Sequence, residues 1–314
     1  MARYLVTGGA GFIGCNLVRF LLDKHQQVVV LDDLSTGYRR NLEEVMDRIT
    51  MVEADVRDAA AVEGAMAGCQ GVFHEAALGS VPRSVADPIA SHDVNVNGTL
   101  RVLEAARKLG IKRVVFAASS SAYGDQPESP KHEGMAPMPI SPYAAGKVAC
   151  EAYLRAYAAV YGLQTMGLRY FNVFGPWQDP NGAYAAAIPI FVSRLLRQEV
   201  VEICGDGEQS RDFCFIENVC QANWLAMHAP AEVCNGQVVN IACHEQTTIN
   251  QVYRHIARLL GSTLQPRHVA DRPGDVKHSL ASVERARELI GYEPGVFFAD
   301  GLARSIDWYR RNLG

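Results

Sequence analysis

Short apolar runs alternate with stretches of helical periodicity through the first 170 residues. Tyr4, Leu5 and Val6 form an apolar run that leads into Gly8, Gly11 and Gly14. Phe12, Ile13, Leu17, Val18, Leu21 and Leu22 then recur at helical spacing. That order predicts strand, tight loop, helix. Further apolar runs predict strands at 28–31, 50–53, 71–74, 113–116 and 164–170. A helix is expected to open at Asn95–Thr99, with Leu100, Leu103 and Ala106 on one face. Another starts at Ser141, a good cap, followed by Pro142, which suits a first turn. Strands alternating with helices predict an α/β fold on a doubly wound parallel sheet.

Beyond Tyr170 the rhythm changes. Residues 179–184, 205–213 and 271–279 read as loops. Residues 188–197 predict a helix and 238–241 a returning strand, with closing helices near 281–290 and 301–312. The expected division is a nucleotide-binding domain at 1–173, rejoined by 211–243, and a smaller interleaved α/β domain at 174–210 and 244–314. Residues 78–84 read as a loop after a strand's carboxyl end, the edge where open α/β sheets bind ligands.

Charge and composition remove several function classes. A formal net charge of −4 gives no global field toward nucleic acid or anionic membrane. No apolar run approaches the roughly 20 residues of a membrane span, and the first strand begins too early to leave room for a signal peptide, so a cytoplasmic location is expected. The eight cysteines include no CxxC pair, which argues against a metal site and for reduced thiols.

The chemistry concentrates at the predicted strand ends. Glycines three apart, at 8, 11 and 14, let a pyrophosphate approach the backbone at a helix N-terminus. This spacing departs from GxGxxG by one residue, and a ligand-free glycine turn would look the same. Asp32, ending the second strand, supplies the support: a carboxylate there can accept from a ribose diol and would repel a 2′-phosphate, so the reading is NAD and not NADP. Asp33 and Ser35 can line the adenosine end. Asp55, before Val56, suits an adenine amino group or an ordinary turn. Ala76 and Ala77 are small enough for a cofactor to pass over. His74 and Glu75 read as structural. Ser119, Ser120 and Ser121 place three hydroxyls at a strand end. Tyr143 and Lys147 lie four apart on one helical face. A phenol is too weak a base at neutral pH, with a pKa near about 10, and a neighbouring ammonium corrects that. Serine, tyrosine and lysine together suit alcohol–ketone chemistry beside a nicotinamide.

These motifs, with Arg169–Gly175, resemble the extended short-chain dehydrogenase/reductases with a Rossmann fold, and within them the nucleotide-sugar 4-epimerases, over essentially the whole chain. Residues 78–84, 179–184, 205–214 and 274–279 are similar, more narrowly, to bacterial UDP-N-acetylglucosamine 4-epimerases. The resemblance implies bound NAD, with contacts extending to Phe12, Ile13, Val56, Asn95 and Tyr170. It implies that Tyr143 takes the proton of the sugar 4-hydroxyl, that the C4 hydride passes to NAD, and that the 4-keto sugar turns and takes it back on its other face. Ser119 would bond O4, a choice among three serines that rests on its place four before Tyr123. Ser80, Ser120 and Ser121 would contact the sugar. Asn172 would hold the diphosphate, and Arg211 and Arg272 would pair with its oxygens or, alternatively, with Asp212 and Asp275; Ala186 and Asp275 would be further substrate contacts. Ser279 stands where non-acetylated-sugar epimerases carry a bulky aromatic, and leaves room for a 2-acetamido group; it could instead cap the helix at 281.

UDP-glucose or a UDP-uronate, with Arg83 near the sugar loop, stays open as substrate, as does uronate decarboxylation. Dehydratases of the group carry an acid pair where Ser120 and Ser121 stand. A silent NAD-sensing protein would be expected to lack the Tyr143/Lys147 pair. The resemblance also implies a homodimer through helices near 95–109 and 143–161, with Tyr153, Leu154, Tyr157 and Val160 as an apolar stripe.

Overall fold

The computed structural model describes residues 1–179, 187–270 and 277–313. Six strands, β1 (Arg3–Thr7), β2 (Gln27–Asp32), β3 (Ile49–Glu53), β4 (Gly71–His74), β5 (Arg113–Ser119) and β6 (Gln164–Tyr170), form one sheet with the returning strand Asn235–Ile241. The order is Asn235–Ile241, β6, β5, β4, β1, β2, β3, and every pairing is parallel. Chain direction across the sheet reverses between β1 and β4, which opens a crevice at their carboxyl ends.

Helices cover both faces, which explains why the strands read as unbroken apolar runs and not as alternating ones. Tyr4, Val6, Val28 and Val30 belong to one core, while Leu5, Val29 and Leu31 belong to the other. The first core continues into the remainder of the chain through Phe174, Ile188, Phe191 and Ile256. Short strand pairs there link Glu202–Cys204 to Arg267–Val269, Ser210–Arg211 to Thr247–Thr248, and Val173–Phe174 to Cys214–Phe215. No described helix is long and apolar enough to cross a membrane.

Four local expectations are corrected. Residues 78–84 are not wholly loop: Val81–Ala86 is helical, because Ser80 Oγ accepts the Arg83 N–H and Pro82 suits the first turn. Asn95–Thr99 does not open a helix; it lies inside a helical run from Pro88 to Lys108, in and just after a π turn at Asp93–Asn97. The helix expected from 281 starts at Glu284, so Ser279 does not cap it. The last helix begins at Phe298 and carries Gly301 inside it, where a Cβ would lie 2.7 Å from the Phe215 ring. Close packing, not a helix start, explains that glycine.

Candidate active site

The glycine loop closes on itself. Gly11 N–H donates to Gly8 O (3.1 Å), and Gly8 N–H to Leu31 O (2.8 Å). Gly8 has φ +67°, and a Cβ on it would lie 2.7 Å from the Ala76 backbone. The helix Phe12–Asp23 that follows has no side-chain cap. Its first N–H groups therefore face the crevice as an anion cradle. Asp32 is buried and accepts the N–H groups of Ala10 (2.9 Å) and Leu34 (2.8 Å). Burial pushes its carboxyl up from the ordinary range, and those backbone donors pull it back.

A cavity of about 360 Å³ runs over the sheet from Asp32, Asp33 and Ser35 on the β2 side to Tyr143, Lys147 and Tyr170 on the β5–β6 side. Gly8, Gly11, Phe12, Ile13 and Gly14 line its middle with Val56, Ala76 and Ala77. The shape and the bare helix end fit a dinucleotide.

Tyr143 and Lys147 are held from beneath. Ser141 caps the helix Pro142–Tyr161 by accepting the Ala144 N–H, and Gly162 ends it in the left-handed region. Ser84 Oγ accepts the Tyr143 N–H (3.0 Å). Lys147 is 3% exposed; its Nζ donates to Ala117 O (2.6 Å) and stands 5.9 Å from the Tyr143 ring centre. Strand β5 runs three residues beyond its predicted end, through Ser119. Ser119 Oγ accepts both the N–H and the hydroxyl of Ser121 (3.2 and 2.8 Å). That serine turn is fixed by Tyr123, whose hydroxyl donates to Asn240 Oδ1 (2.7 Å) and whose ring lies under the Arg169 guanidinium. Arg169 is itself tied through two bonds to the buried carboxylate of Glu151.

His74 bridges Thr7 and Thr99 hydroxyls (2.7 and 2.9 Å), and burial with the Lys147 charge holds it down near about 3, the structural role expected of it. Glu75 accepts from the Tyr170 hydroxyl (2.9 Å) and lines the cavity; burial pushes its carboxyl up to about 7 against the pull of Tyr170 and Lys147.

Several candidates are not among the residues that line this cavity. Asp55 is forked by Arg57, which also reaches Asp93. Asn95 Oδ1 accepts the Leu78 N–H (2.8 Å) and so holds the lining loop. Ser80 is engaged as a helix cap.

A second cavity, about 380 Å³, is lined by Asn172, Phe174, Ile188, Phe191, Gln209 and Arg211, among others. Asn172 donates its amide to Asp212 O (2.9 Å). The Asp212 carboxylate, pushed up to about 6 by burial, accepts the N–H groups of Cys243 (2.9 Å) and Ala281 (3.2 Å). Arg211 donates to Ser210 O, and Ser279 N–H also donates to Ser210 O (3.1 Å), so Ser279 sits one strand away from Arg211. Ala186, Arg272 and Asp275 lie outside the described residues.

The structure ties Glu75, read from the sequence only as structural, to Tyr170, and adds residues that the sequence did not single out: Asn223 beyond Tyr170, Ser84 under Tyr143, and the apolar wall of Ile188 and Phe191. Only the last left a signal, the apolar periodicity of the predicted helix at 188–197.

Comparison with known proteins agrees with this architecture. A UDP-glucose 4-epimerase of Mycolicibacterium smegmatis is 41% identical over 98% of both chains. A solved UDP-N-acetylglucosamine 4-epimerase of Methanobrevibacter ruminantium, in complex with UDP-N-acetylmuramic acid, is 40% identical with a TM-score of 0.92 over 98% of both chains. A Thermus thermophilus UDP-glucose 4-epimerase in complex with NAD is 36% identical with a TM-score of 0.88 over 99% of both chains. The family model described as NAD dependent epimerase/dehydratase matches residues 4–242, which span the glycine loop, Asp32 and the Tyr143/Lys147 pair. By that match, and by a cavity built to take the cofactor, the chain belongs to the NAD-dependent epimerase/dehydratase family of extended short-chain dehydrogenase/reductases.

Proposed function

We propose that the protein interconverts a UDP-hexose and its C4 epimer, with UDP-N-acetylglucosamine and UDP-N-acetylgalactosamine as the preferred pair. The observation that carries the reading is Tyr143 beside Lys147 in the dinucleotide cavity, with Ser119 at the end of the adjoining strand. Tyr143, as a phenolate whose charge the Lys147 ammonium balances, takes the proton of the sugar 4-hydroxyl on Oη and becomes the neutral phenol. Ser119 orients O4. NAD, when bound, supplies a hydride acceptor and donor for C4. Tyr143 returns the proton after the 4-keto sugar has turned over. The second cavity carries the nucleotide: Asn172 and Arg211 hold the diphosphate, and the apolar wall takes the base.

Ser279 supports an N-acetylated sugar. Its backbone is held to Ser210, next to Arg211, and a serine is smaller than the aromatic that the resemblance puts there in epimerases of non-acetylated sugars. Proton NMR of the purified enzyme with UDP-N-acetylglucosamine tests the reading: the anomeric signal of UDP-N-acetylgalactosamine should grow in without added cofactor. Ser279→Tyr should lower turnover of the acetylated sugar by about 10- to 200-fold, the range one misfit group imposes in a pocket, with UDP-glucose affected far less. Equal losses on both sugars would remove the gate. Reaction of UDP-glucose or UDP-glucuronate alone would move the substrate assignment to that sugar.

The homodimer proposal is refined by burial. Leu154 and Tyr157 of the expected stripe pack inside the protomer, leaving Tyr153, Val160 and Tyr161 exposed on the helix Pro142–Tyr161. Light scattering at micromolar concentration should give a dimer mass; a monomer would end that proposal.

A further inference from the structure

Glu75 has no part in the proton transfers above, yet it lines the same cavity as Tyr143 and Lys147. Oε1 accepts the Tyr170 hydroxyl, which in turn accepts from Asn223 Nδ2 (2.8 Å). Oε2 is buried with no hydrogen-bond partner among the described residues. A buried carboxyl left half-satisfied is costly unless something in the cavity compensates it. The compensating group is placed by the cavity's polarity. Asp32 marks the adenosine end on the β2 side, so Glu75, with Tyr170 and Lys147, belongs to the nicotinamide end.

We propose that Glu75 changes protonation with the redox state of the bound cofactor, a carboxylate when the nicotinamide is oxidised and cationic, a carboxylic acid when it is reduced and neutral. The balance is one hydride and two protons. The C4 hydride removes the ring's positive charge, and the O4 proton goes to Tyr143. One further proton enters from solvent onto Glu75 and leaves again when the hydride returns to the sugar. No electrons beyond the hydride pair are involved. The inference rests on the NAD assignment and not on the identity of the sugar.

The groups that face Glu75 are few. Tyr170 comes from β6, Lys147 from the helix Pro142–Tyr161, and Cys220 and Asn223 from the helix Ile216–His228. His74 precedes it on β4 and is held neutral by burial. Lys147 and the Tyr170 hydroxyl favour the carboxylate, and burial favours the acid. The carboxyl is poised near about 7, where one added or removed charge in the cavity decides its state.

The test equilibrates the holoenzyme with NAD/NADH mixtures from pH about 5.5 to about 8.5 and reads the bound reduced fraction by its absorbance. The preference for NADH over NAD should fall about tenfold as pH rises, the effect of a one-unit difference between the two states. Glu75→Gln, whose amide oxygen still accepts from Tyr170, should show no Glu75-linked change. A protonated-carboxyl band should appear in the reduced-minus-oxidised infrared difference spectrum of the wild type, a readout that needs no variant. A wild-type preference that does not vary with pH, a missing carboxyl band, or an unchanged pH dependence in E75Q overturns the proposal.

Discussion

Tyr143→Phe should remove turnover while leaving the cofactor in place. The phenol oxygen is the only part of the side chain that the substitution takes away. The supports around it belong to other atoms: Ser84 Oγ accepts the backbone N–H of residue 143, and Lys147 donates to Ala117 O. The helix is fixed by Ser141 at one end and Gly162 at the other. The glycine loop and Asp32 are untouched. Loss of a positioned acid–base group lowers kcat by about 10²–10⁴-fold, and this group must act in both half-reactions, so the upper part of that range is expected. NAD content of the purified variant should match the wild type, and its thermal midpoint should move little. Turnover within tenfold of the wild type would take the proton transfer away from Tyr143. Absence of turnover in both forms, with an NAD-dependent partner association surviving, would favour a sensing role over an enzyme.

The legible part of this protein was the part where local chemistry and tertiary role coincide. Gly8, Gly11 and Gly14 are glycines because backbone approaches backbone there, and the spacing alone carries that requirement. Ser141, Pro142 and Gly162 cap a helix by interactions within a few residues. Strand runs were visible because both faces of the sheet are buried. What escaped depends on distant partners. Glu75 acquires its meaning from Tyr170, 95 positions on, and from Asn223 beyond it. Gly301 looked like the start of a helix, and its smallness answers to Phe215 and Phe174 across the core.

Gly14→Ala should break the cofactor site itself. A Cβ at this position would lie 2.1 Å from Gly8 O, 2.7 Å from Gly9 Cα and 2.8 Å from Gly8 C. All three atoms are backbone, so no side-chain rotation relieves the clash. Gly8 cannot simply give way: its carbonyl accepts the Gly11 N–H, its own N–H is held by Leu31 O, and the Ala76 backbone stands where even a Cβ on Gly8 would clash. Relief requires the helix Phe12–Asp23 to move off the loop, and that displaces the uncapped N–H groups that would hold the pyrophosphate. Overpacking of this kind costs about 1–3 kcal/mol and sometimes more, which alone is roughly 5- to 150-fold in affinity if it falls on the bound state. Loss of the cradle adds to that, so NAD should no longer survive gel filtration. Gly64→Ala is the control, since Gly64 lies in the helix Ala59–Met66 with nothing within 4 Å of the added carbon. It should retain NAD and gain about 0.5–1 kcal/mol of stability. Stoichiometric NAD in G14A with an unshifted melting midpoint would mean that the loop is looser than its contacts imply, and the pyrophosphate would have to be placed elsewhere in the cavity.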